Sequence, residues 1–474
     1  MYPTHVADSS TVVPTRLLRE HPALPVVVLC FGGLVASLTQ TLLIPIQGEL
    51  GGLLGTSQAN AAWVITITLL AGAVAMPVAG RLADLFGKQP VIAVSAALLL
   101  VASVICALSD SLAPMLVGRA LQGLAMGFIP VGISLMREVT PPRLTGTAIA
   151  AMSATLGVGG AIGLPLSAWI VDGRDWHTLF WVATGLAVLV GLGSVFIVPH
   201  VHDGHEGTFD FGGAVGLAVG LIALLLGITK GNTWGWTSGR TLGSIALGVV
   251  VLLAWGWFEL RRSEPLCDLR VTARRPVLLT NIAAVAIGFG MMAQAIVFPQ
   301  LLQLPEEIGG LGQTLLAAGL WMAPGGLMML AFAPVASYLM RTFGAKYALA
   351  LGAGVLGCGY LLSFFLMSAP WQVLVASLIC SAGVGIGYAA MPTLIMDAVP
   401  MNEAGSAVGI NALMRSVGTT VAAAVMATVL TGQTSALGIP TEGAFKACFL
   451  VATVAAIAGG LLALTIPKVD RPAG

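Results

Sequence analysis

The sequence predicts an all-α polytopic membrane protein: two pseudo-symmetric six-helix bundles plus two additional helices, about fourteen spans in all. Three observations carry this. Of 474 residues, 57% are hydrophobic and only 9% charged, with mean hydropathy +0.96; a soluble domain carries roughly 25% charged residues. Apolar runs recur near 24–47, 58–79, 91–108, 113–136, 144–171, 178–198, 211–230, 241–260, 277–303, 313–338, 346–367, 371–395, 406–430 and 444–466. Each is near the ~20 residues that cross ~30 Å of hydrocarbon. Finally, two stretches repeat at nearly one offset. Pro77-Val78-Ala79, Leu82 and Phe86-Gly87 return 257 residues later as Pro334-Val335-Ala336, Leu339 and Phe343-Gly344. Pro141, Gly146, Ala148 and Val158-Gly159 return 259 residues later as Pro400, Gly405, Ala407 and Val417-Gly418. Two agreeing registers argue for duplicated halves.

The offset exceeds a six-helix half by about two helices, and the surplus is spans 7 and 8. The division is therefore a polar tail 1–23, a first bundle 24–198, central loops with two inserted helices 199–276, a second bundle 277–466 and a tail 467–474. The tail shows no small-residue cleavage site before Leu24, so no cleaved signal peptide is expected. Orientation follows from the basic residues. With both termini inside, inner segments hold fifteen Lys and Arg and outer segments four, Arg174, Lys230, Arg240 and Lys446. Net charge is +1, so no basic field points to nucleic acid. The six Cys are scattered, with no Cys-x-x-Cys, and read as small buried apolar residues. Loop 199–210 carries His200, His202, Asp203 and His205. Such a set can bind a divalent metal, but a flexible polar loop is the simpler reading, and no metal or other cofactor is assigned.

Between spans 2 and 3 lies Gly80-Arg81-Leu82-Ala83-Asp84-Leu85-Phe86-Gly87-Lys88, a charged, glycine-bounded stretch read as a tight turn. Gly80 and Gly87 permit close backbone approach or unusual dihedrals. Asp84 suits a neighbouring helix N-terminus, while Arg81 and Lys88 suit carboxylates. Glu138, just past span 4, is the expected partner of Arg81 or Lys88. The plain alternative is a basic inner loop, but its recurrence in the second half favours a gating role.

Polar groups inside hydrocarbon are costly and informative. Arg119 in span 4 and Arg415 in span 13 are the two charged ones, each read either as a structural tie or as a coupling group facing a wet cavity. Asp397, near a span end, joins them as a coupling candidate. Candidate cavity residues are Thr39, Gln40, Gln122, Met126, Asn281, Met291, Gln294, Phe298, Trp321, Met391 and Asn411; any polar one can equally be a helix–helix hydrogen bond. No carboxylate falls at mid-span. Span 5 is rich in small residues, with Gly157, Gly159, Gly163 and the kinking Pro165, and suits a helix that both packs and flexes. No embedded His/Asp/Ser set supports an enzyme.

These residues resemble the major facilitator superfamily, most closely its fourteen-span drug:proton antiporter-2 (multidrug efflux) family. The resemblance covers nearly the whole chain. Gly80, Asp84, Gly87 and Lys88 match the motif between spans 2 and 3. Gly118-Arg119-Ala120-Leu121-Gln122-Gly123 resembles the span 4 motif, whose arginine is implicated in proton coupling. Gly157–Ile170 is similar to the antiporter motif, with Gly163-Leu164-Pro165 for its Gly-Pro and Ser167-Ala168 for its later Gly-Gly. Span 1 departs: the family's Leu-Asp-x-Thr reads Leu38-Thr39-Gln40-Thr41 here. The resemblance implies a monomeric bacterial inner-membrane exporter of amphipathic small molecules, working among membrane lipids by alternating access with proton antiport. The missing acid leaves two alternatives open, a lipid translocase and an exporter of anionic metabolites without the usual coupling acid.

Overall fold

The structure, a computed structural model, describes residues 23–467 except 45, 48, 172, 201–206, 307–308 and 435–438. His202, Asp203 and His205 lie outside the described residues, as do most of both tails. Fourteen helices are long and apolar enough to cross a membrane. They are α1 (Leu24–Thr41), α2 (Gln58–Phe86), α3 (Lys88–Ala107), α4 (Leu112–Val139), α5 (Arg143–Val171), α6 (Thr178–Phe196) and α7 (Phe211–Trp234). The remainder are α8 (Gly239–Glu259), α9 (Arg275–Gln303), α10 (Leu315–Thr342), α11 (Ala345–Phe365), α12 (Pro370–Ala398), α13 (Ala404–Gly432) and α14 (Glu442–Leu464). Apart from one isolated bridge, no β-pairing occurs among the described residues.

Two expectations from sequence change. α1 stops at Thr41, six residues before its apolar run ends; Pro45 follows, and a proline disfavours helix in the residue before it. The stretch Gly80–Lys88 is not a turn. Leu82, Ala83 and Leu85 are good helix formers, so α2 continues through Asp84 to Phe86. The break is Gly87 alone, at φ +90°. Its repeat, Gly344, breaks α10 from α11 at φ +97°. L-side chains rarely adopt that region, so glycine is required at both.

In the first bundle α1 packs on α5, α2 on α4, and α3 on α4 and α6; in the second α9 packs on α13 and α14, α11 on α12 and α14, and α10 on α12. Two long seams join the bundles, α2 with α13 and α5 with α10. The duplication relates them. Gly80 abuts Gly405 on the first seam, and Ser337 abuts Gly146 on the second. A Cβ on Gly80 would overlap the Gly405 backbone, which has no flexible end to yield. Gly80→Ala is therefore expected to lose about 1–3 kcal/mol, the usual cost of overpacking. Gly52→Ala, where a Cβ meets open space, is the control. Melting in detergent reads both; equal midpoints would contradict the close approach.

The inserted pair is asymmetric. α8 is the outermost helix, with only 11% of its apolar window buried against 78% for α12. α7 touches both α2 and α13. Leu217, Leu221 and Leu225 share one buried cluster with Leu70, Ala73, Ile410 and Leu413. Asn232 Nδ2 donates to the Ala424 carbonyl at 3.2 Å and Trp236 Nε1 to Thr428 Oγ1 at 3.1 Å. Lys230, counted by sequence as outer loop, lies in the last turns of α7 with Nζ 4.8 Å from the Trp63 ring centroid. So α7 fastens α2 to α13, and α8 alone is peripheral. Single cysteines along α8 should show no protection from alkylation by transported compounds; protection at several of them would place α8 on the substrate route.

Candidate functional site

Where α2 meets α3, charged side chains link the two bundles. Because α2 stays helical to Phe86, it carries Asp84 to the N-terminus of α13. Asp84 Oδ1 accepts the Gly405 N–H at 2.9 Å and Oδ2 the Ser406 N–H at 2.7 Å. The carboxylate is 3% exposed. Those amides are among the orphan donors of a helix start, and the dipole there favours an anion. Gly80 and Gly405 permit the approach. Lys88, starting α3, pairs with Glu138 at the end of α4. One residue earlier, Arg137 Nη1 donates to the Met396 carbonyl of α12 at 2.6 Å. Asp397, half-buried, follows in the last turn of α12. Thus α2 and α4 both reach across to the second bundle at one level. At the position repeating Asp84 stands Arg341, exposed, so the acid itself is not repeated on the second seam.

Arg81 turns toward a cleft lined by Pro265, Leu266, Asp268, Val271, Thr272, Glu403, Ser406, Ala407 and Ile410. Burial pushes the Glu403 carboxyl up, the Asp268 charge adds to this, and Arg274 and Arg81 oppose it.

Two arginines sit deep in the bundles. Arg119 is 1% exposed. Its Nη1 donates to the Thr39 carbonyl at 2.9 Å and to Gln122 Oε1 at 2.7 Å, and its Nε to the Val64 carbonyl at 3.3 Å. Gln122 Nε2 in turn donates to Ser103 Oγ at 3.2 Å. One guanidinium thus joins α4 to α1 and α2, and Gln122 extends the net to α3. Thr39, where the resemblance places an acid, is buried with Oγ1 donating to the Ala36 carbonyl at 2.8 Å. Arg415 is 3% exposed. Its Nη1 donates to Asn411 Oδ1 at 3.3 Å, and its guanidinium lies 4.9 Å from the Tyr388 ring centroid. Asn411 Nδ2 donates to Asn281 Oδ1 at 3.0 Å, linking α13 to α9. The Asn281 amide nitrogen is buried without a partner. Among the described residues no carboxylate lies within 4 Å of either arginine; their partners are carbonyls, amides and a ring.

The other candidates fall at several places. Gln294 Nε2 donates to Ser381 Oγ at 2.8 Å and Ser377 Oγ at 3.1 Å, joining α9 to α12. Phe298 is fully buried against Tyr360 and Phe449, in the packed core of the second bundle. Met126 and Met391 are buried, while Gln40, Met291 and Trp321 are half-buried. Trp321 Nε1 donates to Gln313 Oε1 at 3.1 Å. The span 5 glycines serve two neighbours. Gly159 and Gly163 abut α1 at Ser37 and Thr41, and Ser37 Oγ donates to the Leu156 carbonyl at 2.7 Å. Gly157 abuts Met329, and Pro165 abuts Gly319, both on α10. No cluster of three potential metal ligands occurs among the described residues. Sequence reading missed Ser406, Arg137 and Lys230. Gly405 in the repeat pointed near the first; nothing in the sequence marked the other two.

Comparison with known proteins follows the same lines. The family model described as Major Facilitator Superfamily matches residues 29–423. An uncharacterized transporter of this superfamily's type from Mycobacterium tuberculosis is 28% identical over 291 residues, 60% of this chain and 42% of that protein. The chain thus spans less than half of that relative's length. The multidrug resistance protein Stp of the same species is 26% identical over 377 residues, 79% of this chain and 69% of that one. Among solved structures, the human organic anion transporter MFSD10 superposes with TM-score 0.66 at 16% identity, covering 93% of this chain and 99% of that one.

Proposed function

The chain belongs to the Major Facilitator Superfamily, and on that premise we propose that it exports amphipathic small molecules across the bacterial inner membrane by alternating access, with both termini cytoplasmic. The name of the multidrug resistance relative supports the substrate class. The observation that carries the mechanism is the Asp84 bond to the Gly405 and Ser406 amides. It ties the Asp84 end of α2 to the start of α13, and breaking it lets those ends part while α7 still holds both helices. Export then runs by making and breaking this latch while α5 and α10 rock against each other along their small residues. Arg119 and Arg415 give the interior a positive character, so neutral and anionic amphiphiles are favoured over permanent cations. Proton antiport, without an acid at Thr39, falls to groups nearer the inner face, Asp397 and Glu403 among them.

The test is transport in inside-out vesicles of cells lacking their own exporters, with a panel of amphiphiles preselected by tryptophan quenching of the purified protein. Uptake driven by an imposed pH gradient supports the reading. Transfer of labelled lipid in proteoliposomes, with no uptake of any amphiphile, would replace it with lipid translocation.

A further inference from the structure

A pair of acids at the foot of the inserted hairpin has no part in the function proposed above. Glu259 ends α8 and is 2% exposed; Asp210 caps α7 and is 8% exposed. Asp210 Oδ1 accepts the Gly213 N–H at 2.9 Å, and Glu259 Oε2 accepts the Cys267 N–H at 3.4 Å. The second oxygen of each, Asp210 Oδ2 and Glu259 Oε1, is buried with no hydrogen-bond partner. The Trp255 side chain and the Leu266 N–H also approach Glu259, and neither makes a well-aligned hydrogen bond to Oε1. The two orphan oxygens converge on Gly213. Both lie within 3 Å of the point where Gly213 would carry a Cβ, and so less than 6 Å apart. Arg262, half exposed, has its Nε 3.8 Å from Asp210 Oδ2, beyond hydrogen-bond reach.

Two buried carboxylates this close resist ionising together, and an unsatisfied buried oxygen is costly in its own right. A single proton on the pair leaves one buried negative charge instead of two. We propose that Asp210 and Glu259 form a proton-binding site at the inner foot of the inserted hairpin, the pair holding one proton.

The site is wired to the latch. Glu259 holds the Cys267 amide, the Leu266 carbonyl accepts Ser406 Oγ at 3.4 Å, and Ser406 is the residue whose N–H Asp84 binds. Arg81 and Asp84 of α2 act on Cys267 through their charges, Asp268 and Glu403 line the adjoining cleft, and Arg274 acts on Glu403. Burial pushes the Cys267 thiol up to about 12, which keeps it out of the neutral range. Loss of the shared proton leaves two anions with unsolvated oxygens. Opening the foot to water relieves them and withdraws Leu266 and Cys267 from α13. Inner-side pH thereby sets how firmly the latch closes. This second step rests on the latch reading above; the proton site does not.

The test uses the purified full-length protein. Infrared difference spectra across a pH series, in H2O and D2O, read the carbonyl stretch of a protonated carboxyl. The wild type should show one such band that titrates, absent from Glu259→Gln and from Asp210→Asn. Asn caps a helix as well as Asp, so the second variant keeps α7 capped. In a background without the other five cysteines, Cys267 alkylation should rise with pH more steeply than thiolate formation alone, and Glu259→Gln should abolish the excess. Superimposable wild-type and variant spectra would overturn the proton site. A titrating band with ordinary Cys267 behaviour would overturn the coupling and leave the transport reading untouched.

Discussion

Asp84→Asn is expected to cut export at least tenfold while leaving membrane expression and folded yield near wild type. The side chain makes two charge-assisted bonds, to Gly405 N–H and Ser406 N–H, each worth about 1.5–3 kcal/mol. An asparagine keeps one acceptor. Its NH2 group then meets the second amide donor to donor, and the charge facing the α13 dipole is gone. A net loss of about 2–3 kcal/mol shifts a two-state equilibrium by roughly 30- to 150-fold toward the inner-open form. The cycle then stalls for want of the state that releases outward. The fold survives because the first bundle, the second bundle and the α5–α10 seam do not use Asp84. Asp84→Glu is the companion: it keeps the charge but needs space that Gly405, whose own Cβ would already overlap Asp84 Oδ1, does not leave. Vesicle uptake and reactivity of a cysteine placed at Ala407 read the two effects together. Wild-type uptake by Asp84→Asn would refute the latch.

Much of this architecture is legible in the sequence because hydrocarbon imposes its own arithmetic. A span must be long and apolar, so fourteen runs gave fourteen helices, and the two repeated stretches, read only as a sign of duplicated halves, fall on the four helices of the two seams. Local helix continuity was harder. Charge and glycine at both ends made Gly80–Lys88 look like a turn, whereas only Gly87, with its positive φ, breaks the chain. Side-chain destinations were hardest. Arg119 reads as a lone charge in sequence, yet its donors end on the backbone of α1 and α2, and a carbonyl leaves no residue-type signal. The orphaned oxygens of Asp210 and Glu259 depend on Gly213 allowing two segments about 50 residues apart to close on one point. A polar residue at a helix end is too common for its type to reveal such a pairing.

A lipophilic anion should be exported at least tenfold faster than a permanent cation of similar size. The argument is electrostatic. Arg119 and Arg415 are 1% and 3% exposed, and their partners are neutral. Lys230, over Trp63, adds a third sheltered cation beside α2. Two buried acids of these helices are committed elsewhere: Asp84 to the α13 amides and Glu138 to Lys88. A quaternary ammonium moving between the bundles would shed its hydration without meeting a counter-charge, and an unpaired buried charge costs several kcal/mol. An anion instead offers the arginines charge-assisted bonds, and guanidinium can make two in parallel to one carboxylate. Even 1.4 kcal/mol of difference gives the tenfold ratio. Thr39→Asp tests the cause. Thr39 is buried on α1 at the residue whose carbonyl already meets Arg119, so a carboxylate there neutralises that guanidinium at close range. The variant should gain cation export and lose anion export, measured in the same vesicles under the same pH gradient. Robust export of the cation alone by the wild type would overturn the prediction, and an unchanged ratio in Thr39→Asp would remove Arg119 from its explanation.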